Sequence, residues 1–195
     1  SRYAENGGKL IVVGPKAARL FAEELDIVLT GDVSGHSTIW VEHDGWLAAF
    51  AGRHQAATSG DRARGFGRYY PENDPDAGEG ETAAVISRYG RGTVAAVLFE
   101  MGNAYLRGST SVARDFLRAV VDEVLPEPAV RVAGSHLVDV TLMRKELSDG
   151  PATMVNVVNT AGPHGDPSVF VYDEIPAVGR LTGTVSVASE PTSAT

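Results

Sequence analysis

The chain has 195 residues, with 17 Lys plus Arg against 25 Asp plus Glu, a formal charge of −8, 43% hydrophobic and 22% charged residues, and no cysteine. That balance is globular and excludes a disordered tail or a coiled coil as a reading of the whole; the length allows one large domain or two small ones. The missing cysteine excludes disulfides, Cys-ligated zinc, iron–sulfur clusters and thiol nucleophiles, and the acidic balance argues against a nucleic-acid partner.

No apolar run approaches the roughly 20 residues of a membrane span, so no membrane partner is expected. Ser1 to Asn6 lack the apolar core of a signal peptide. The compartment stays open, with the cytoplasm slightly favoured.

The first strong element is Lys9-Leu10-Ile11-Val12-Val13, an apolar run between Gly7-Gly8 and Gly14-Pro15, which predicts a buried parallel strand. Pro15 suits the first turn of a helix in which Ala18, Phe21, Ala22 and Leu25 recur at helical spacing. Ser37 to Val41 and Trp46 to Phe50 flank Glu42-His43-Asp44-Gly45, and Asp-Gly between apolar runs signals a hairpin. Residues 51 to 81 show little apolar periodicity and end in the acidic, turn-rich stretch Tyr70 to Glu81, which reads as a long surface loop.

Thr82 to Arg88 and Thr93 to Phe99 then form a second hairpin around Tyr89-Gly90-Arg91-Gly92. A second helix is predicted over Ser111 to Val124, with Val112, Phe116, Leu117, Val120, Val121 and Val124 as its apolar stripe and Ser109, Thr110 or Ser111 as its cap. Pro126 and Pro128 end it and mark a domain boundary.

Beyond the prolines, Ala129 to Val132, His136 to Met143, Ala152 to Val158, Ser168 to Tyr172 and Leu181 to Val187 are short β-branched runs. They predict a small antiparallel β module over residues 128–195, part of a β-sandwich. Residues 1–127 form an α/β layer. A parallel strand at residue 9 asks for a neighbour from earlier sequence, so the layer reads as incomplete at its N-terminus and the chain as part of something longer.

Several segments carry a family resemblance. Asn6 to Pro15 resembles the strand after a Gly-Gly pair in the glutamine-amidotransferase-like domains that accompany glycoside hydrolases, including the trimerisation domain of β-galactosidases. Tyr89-Gly90-Arg91-Gly92-Thr93-Val94-Ala95 is similar to that family's YGKGKV hairpin, and Met101-Gly102-Asn103-Ala104-Tyr105 to the turn that follows it. Leu125 to Pro128, Gly134 to Val140 and Val155 to Gly162 resemble the link and C-terminal β module of the same proteins.

The resemblance implies a Rossmann-like layer, and catalytic carboxylates on a preceding (β/α)8 barrel of the same protein rather than here. Without cysteine, amidotransferase chemistry does not carry over. What the resemblance leaves is a non-catalytic accessory and oligomer-forming role in a glycoside-hydrolase-like protein acting on carbohydrate. The expected partners are the barrel, further copies of the chain and carbohydrate. Two other readings stand beside it. One is a carbohydrate-binding module with Trp40, Trp46, Tyr69, Tyr70 and Tyr105 as stacking platforms; the other is an autonomous glycosidase using Glu100.

Glu100 falls just past a predicted strand, where α/β sheets display functional groups, and Asn103, Tyr105 and Arg107 follow it. These four are the candidate sugar contacts, set against a structural Glu–Arg pair. No catalytic residue, cofactor or metal is expected. Ser135 and His136 are adjacent on a predicted strand and point to opposite faces, so with Asp139 they form no triad. His36, His43 and His54 match no standard zinc spacing, and the loop from Glu72 to Glu81 lacks the spacing of a calcium loop.

Overall fold

In a computed structural model, residues 1–70, 76, 78–108, 110–148, 150–161 and 175–187 are described, the side chains of 36–39, 50 and 107 excepted. The chain divides into two units, Ser1–Pro126 and Glu127–Thr195. In the first unit the elements run α1 (Arg2–Glu5), β1 (Lys9–Val13), α2 (Pro15–Leu20), α3 (Ala22–Leu25), β2 (Ile27–Leu29), β3 (Ser34–His43), β4 (Trp46–His54) and β5 (Ala57–Ser59). They continue with β6 (Ala63–Tyr70), β7 (Glu81–Tyr89), β8 (Gly92–Val97), α4 (Met101–Gly108) and α5 (Ser111–Val124).

One curled, mixed sheet organises this unit, in the order β1-β8-β7-β6-β3-β4. Its one parallel pair among the described strands is β1 with β8, in register from Lys9↔Thr93 to Val13↔Val97. The neighbour that β1 requires therefore comes from later sequence, not from earlier sequence as the isolated run implied. A short antiparallel pair, β2–β5, lies outside the main sheet.

Strands β7 and β8 are buried on both faces, which is why both read as almost unbroken apolar runs. On one face Ala84, Ile86, Ala95, Val97 and Phe99 meet Ala113, Phe116, Val120 and Val124 of α5 and Ala104 of α4. On the other, Val85, Val94, Ala96 and Leu98 meet Ala4 of α1, Ala18 of α2 and Leu25 of α3. The result is helices on both sides of a mostly antiparallel sheet.

Both predicted hairpins form. Asp44 and Gly45 have φ of 52° and 78°, the paired positive values of a type I′ turn, and close β3 onto β4 from His43↔Trp46. The second closes at Tyr89↔Gly92. The predicted first helix is instead two short ones, because Phe21 leaves the helical region at φ −121°. The second helix has the predicted bounds, with Thr110 as its cap.

The surface loop expected over 51–81 is not what forms. Strand β4 continues to His54, β5 and β6 follow, and β6 is an interior strand between β7 and β3 that buries Phe66, Tyr69 and Tyr70. Gly65 and Gly67 hide the alternation. A Cβ at Gly65 would press on Thr82 at 3.2 Å, and one at Gly67, where φ is 65°, would meet Phe116 at 2.7 Å. Neighbouring side chains crowd both places, and at Gly67 the positive φ and the close approach of Phe116 require glycine, so the strand shows no apolar residue at either position. Residues 71–75 and 77 of the predicted acidic loop lie outside the described residues.

The second unit contains β9 (Val130–Ala133), β10 (Val138–Leu147), β11 (Gly150–Asn159) and β12 (Thr182–Val185). β10 and β11 form a ten-pair antiparallel ribbon from Val138↔Asn159 to Leu147↔Gly150, and β12 pairs antiparallel with β9. The predicted strand Ser168 to Tyr172 lies outside the described residues.

Candidate functional site

Glu100 follows β8 and caps the entry to α4. Its backbone N–H donates to the Arg53 carbonyl at 2.8 Å, and its carbonyl accepts from the Ala104 N–H at 3.1 Å. The segment read as a turn at Met101 to Tyr105 is thus helical, and that decides which candidates meet. Asn103 and Tyr105 stand two positions apart, about 200° around the helix. Asn103 is exposed, whereas Tyr105 is half-buried against the core. Glu100 and Asn103, three apart, share a side. The Arg107 side chain lies outside the described residues.

A buried polar cluster that sequence reasoning missed links β4, β6 and β7. His54 is 2% exposed, stacks on Tyr69 at 3.6 Å between ring centroids, and holds Nδ1 3.4 Å from the Glu81 carboxylate. Burial first, and the Glu81 charge second, push the Tyr69 phenol well above its ordinary range. Beside it, the buried Gln55 amide donates to the Gly31 carbonyl at 2.8 Å and accepts from Arg19 at 3.2 Å. His54, Gln55 and Tyr69 are buried and Glu81 is open to solvent, so the cluster knits β4, β6 and β7 together.

Of the five aromatic residues proposed as stacking platforms, Tyr69 and Tyr70 are buried, Tyr105 packs on the core and Trp40 is half-buried. Tyr70 donates its hydroxyl to Glu42 at 2.7 Å, and that bond is the main cause raising its pKa. Trp46 alone is open, at 70% exposure.

Trp46 lines a cleft of about 350 Å³ between the β3–β4 turn and α5. Its apolar lining is Val41, Ala48, Val112, Phe116 and Ala119; its polar lining is His43, Asp44, Ser111 and Asp115. His43 is held by aromatic rings, 4.3 Å from Phe66 and 5.9 Å from Phe116 between centroids. The type I′ turn presents Asp44 and Trp46, and the capped first turns of α5 present Ser111 and Asp115. Asp115 accepts from Arg114 Nε at 3.3 Å. The sequence signals for the turn and the helix were readable separately, but their convergence was not.

His43 and His54 sit at opposite ends of the β3–β4 hairpin, and among the described residues no three His, Asp or Glu side chains gather as a metal site. Ser135 and His136 precede β10 rather than lying on it, and Ser135 Oγ accepts from the Leu137 N–H at 3.0 Å, the local bend of a structural serine. No described helix is long and apolar enough to cross a membrane.

No family model matches the sequence, and no curated protein does. Among solved structures, the chain is similar to a GH42 β-galactosidase from G. stearothermophilus, with a TM-score of 0.50 and 15% identity over 72% of this chain and 21% of that one. It is also similar to a β-galactosidase from Rahnella sp. R3, with a TM-score of 0.51 and 11% identity over 80% of this chain and 30% of that one. At such identities the likeness is one of fold. The chain spans less than a third of either enzyme's length.

Proposed function

We propose that this chain is a non-catalytic accessory and oligomer-forming region of a glycoside-hydrolase-like protein acting on carbohydrate, whose catalytic barrel lies in a preceding part of the same protein. The observation that carries the reading is the fold likeness, which reaches 80% of this chain while using 30% of a β-galactosidase. Helices on both faces of the sheet support the finer reading of a Rossmann-like, amidotransferase-like layer, although among the described strands only the β1–β8 pair is parallel and the other pairs of the sheet are antiparallel. The absence of cysteine removes that layer's usual nucleophile.

Purified chain, confirmed as folded by circular dichroism, is tested on a broad panel of aryl glycosides from acidic to neutral pH. The expected result is no turnover. Turnover abolished by Glu100→Gln, or by Asp44→Asn or Asp115→Asn in the cleft, would overturn the accessory reading and make this chain an enzyme. Light scattering tests the oligomeric part: a strictly monomeric species at high concentration, alone and within the longer protein, would count against it.

The carbohydrate-binding reading stands second, favoured by Trp46. An open indole at a cleft that also carries hydroxyl, carboxylate and imidazole groups has the chemistry of sugar contact. Glu100 and Asn103 offer a second, polar contact on α4.

A further inference from the structure

We propose that the cleft between the β3–β4 turn and α5 is a binding site for one neutral pyranose residue, with Trp46 as its stacking wall and Asp44 and Asp115 as acceptors for sugar hydroxyls. The inference rests on the carbohydrate-binding reading and gives it a place and a ligand class.

Three features converge on that class. First, about 350 Å³ lies at the lower end of ligand sites, which run from about 300 to 1,000 Å³, so the cleft suits a ring rather than a long chain. Second, the lining is divided as a pyranose is divided. A sugar ring has an apolar C–H face and a polar hydroxyl edge; the cleft offers Trp46, Val112, Phe116 and Ala119 to the one, and His43, Asp44, Ser111 and Asp115 to the other.

Third, the cleft is partly preformed before a ligand arrives. His43 is fixed against Phe66 and Phe116, while the type I′ turn and the capped helix set the backbone positions from which Asp44 and Asp115 reach the cleft. Preorganised groups lose little freedom on binding, so a small ligand keeps more of its contact energy.

The charge of the cleft narrows the class further. Asp44 and Asp115 both face the cleft and, among the described residues, only Asp115 has a cationic neighbour, Arg114, so a uronic acid is disfavoured relative to its neutral counterpart. An organic cation would use the carboxylates and the indole but leave the His43 and Ser111 donors without purpose. A neutral polyol uses all four polar groups.

The test is titration of the whole chain with methyl β-galactoside, methyl β-glucoside, methyl α-mannoside, galacturonate and agmatine, followed by tryptophan fluorescence and calorimetry. At least one neutral glycoside should bind with a Kd of about 1 mM, the range of a single shallow site. Trp46→Ala should weaken it about tenfold, Trp46→Phe should keep most of it, and Asp115→Asn should weaken it several-fold, all in folded protein. Galacturonate should bind more weakly than its neutral counterpart. Tighter binding of agmatine, neutral binding indifferent to Trp46→Ala, or no glycoside binding by folded chain would each overturn the proposal. Glycoside binding that survives Trp46→Ala would overturn this site alone and leave the carbohydrate-binding reading standing, whereas no glycoside binding by folded chain would overturn both.

Discussion

Gly92 is where the start of the chain leans on β8. A Cβ there would lie 2.1 Å from the Ala4 carbonyl and 2.2 Å from the Gly8 carbonyl. Neither oxygen can move without displacing α1 or the entry to β1, because Arg91 N–H donates to Glu5 O and Thr93 N–H to Gly8 O. Gly92→Ala should therefore destabilise by about 2–3 kcal/mol, the upper part of the overpacking range, read as a lower urea midpoint. An unchanged midpoint would mean that α1 is not seated there. Tyr69 makes a prediction in pH. Its folded pKa is raised by burial and then by Glu81, so between the unfolded value of about 10 and the folded one the unfolded chain has lost a proton that the native state keeps. The unfolded state then binds fewer protons, and stability falls as pH rises above about 10. Tyr69→Phe should flatten that alkaline slope in urea titrations at several pH values; an equal slope in both proteins would show that Tyr69 does not contribute to it.

Helix α5 announces itself in sequence because its stripe, cap and stop are all local, and its cap can be tested. Thr110 accepts from the Ala113 N–H at a long 3.4 Å, so Thr110→Ala should cost about 0.5–1 kcal/mol, the lower part of the capping range. A cost near zero by chemical denaturation would mean that water caps the helix equally well. Hairpins were legible for the same reason: Asp44-Gly45 and Gly90 carry their turn geometry in the residue type. Strand β6 was not, since its neighbours fill the spaces beside Gly65 and Gly67, and a strand whose pattern is completed by other elements leaves no period of its own. Helix α4 was hidden by its length and by Gly102 in its first turn. Nothing lies within 4 Å of a Cβ at Gly102, so Gly102→Ala should raise stability by about 0.5 kcal/mol in the same assay. The cleft was half legible. Trp46 and the Asp-Gly turn could be read beforehand, but Asp115 and Ser111 join them only through the sheet order that sets α5 beside β4.

At the scale of the whole chain, the two units differ in how they are held together. Both hydrophobic clusters are built entirely from residues up to Val124, so Ser1–Pro126 carries its core within itself. Among the described residues of the second unit, Ala161 is the one buried hydrophobic, while Leu142, Met143, Met154 and Val158 of the β10–β11 ribbon are exposed. Two-stranded ribbons without a hydrophobic layer beneath them are marginal in water, because the hydrogen bonds they form replace ones already made to solvent. Stability of the whole chain should then reside in the first unit. A fragment ending at Pro126 should unfold cooperatively within about 4 °C of the full chain, a difference below about 1 kcal/mol at this size. Residues 127–195 alone should show no cooperative transition by calorimetry. A large loss of melting temperature in the shorter fragment would mean that the second unit supplies part of the core. Its exposed apolar strands would then have a stabilising role that the first unit depends on.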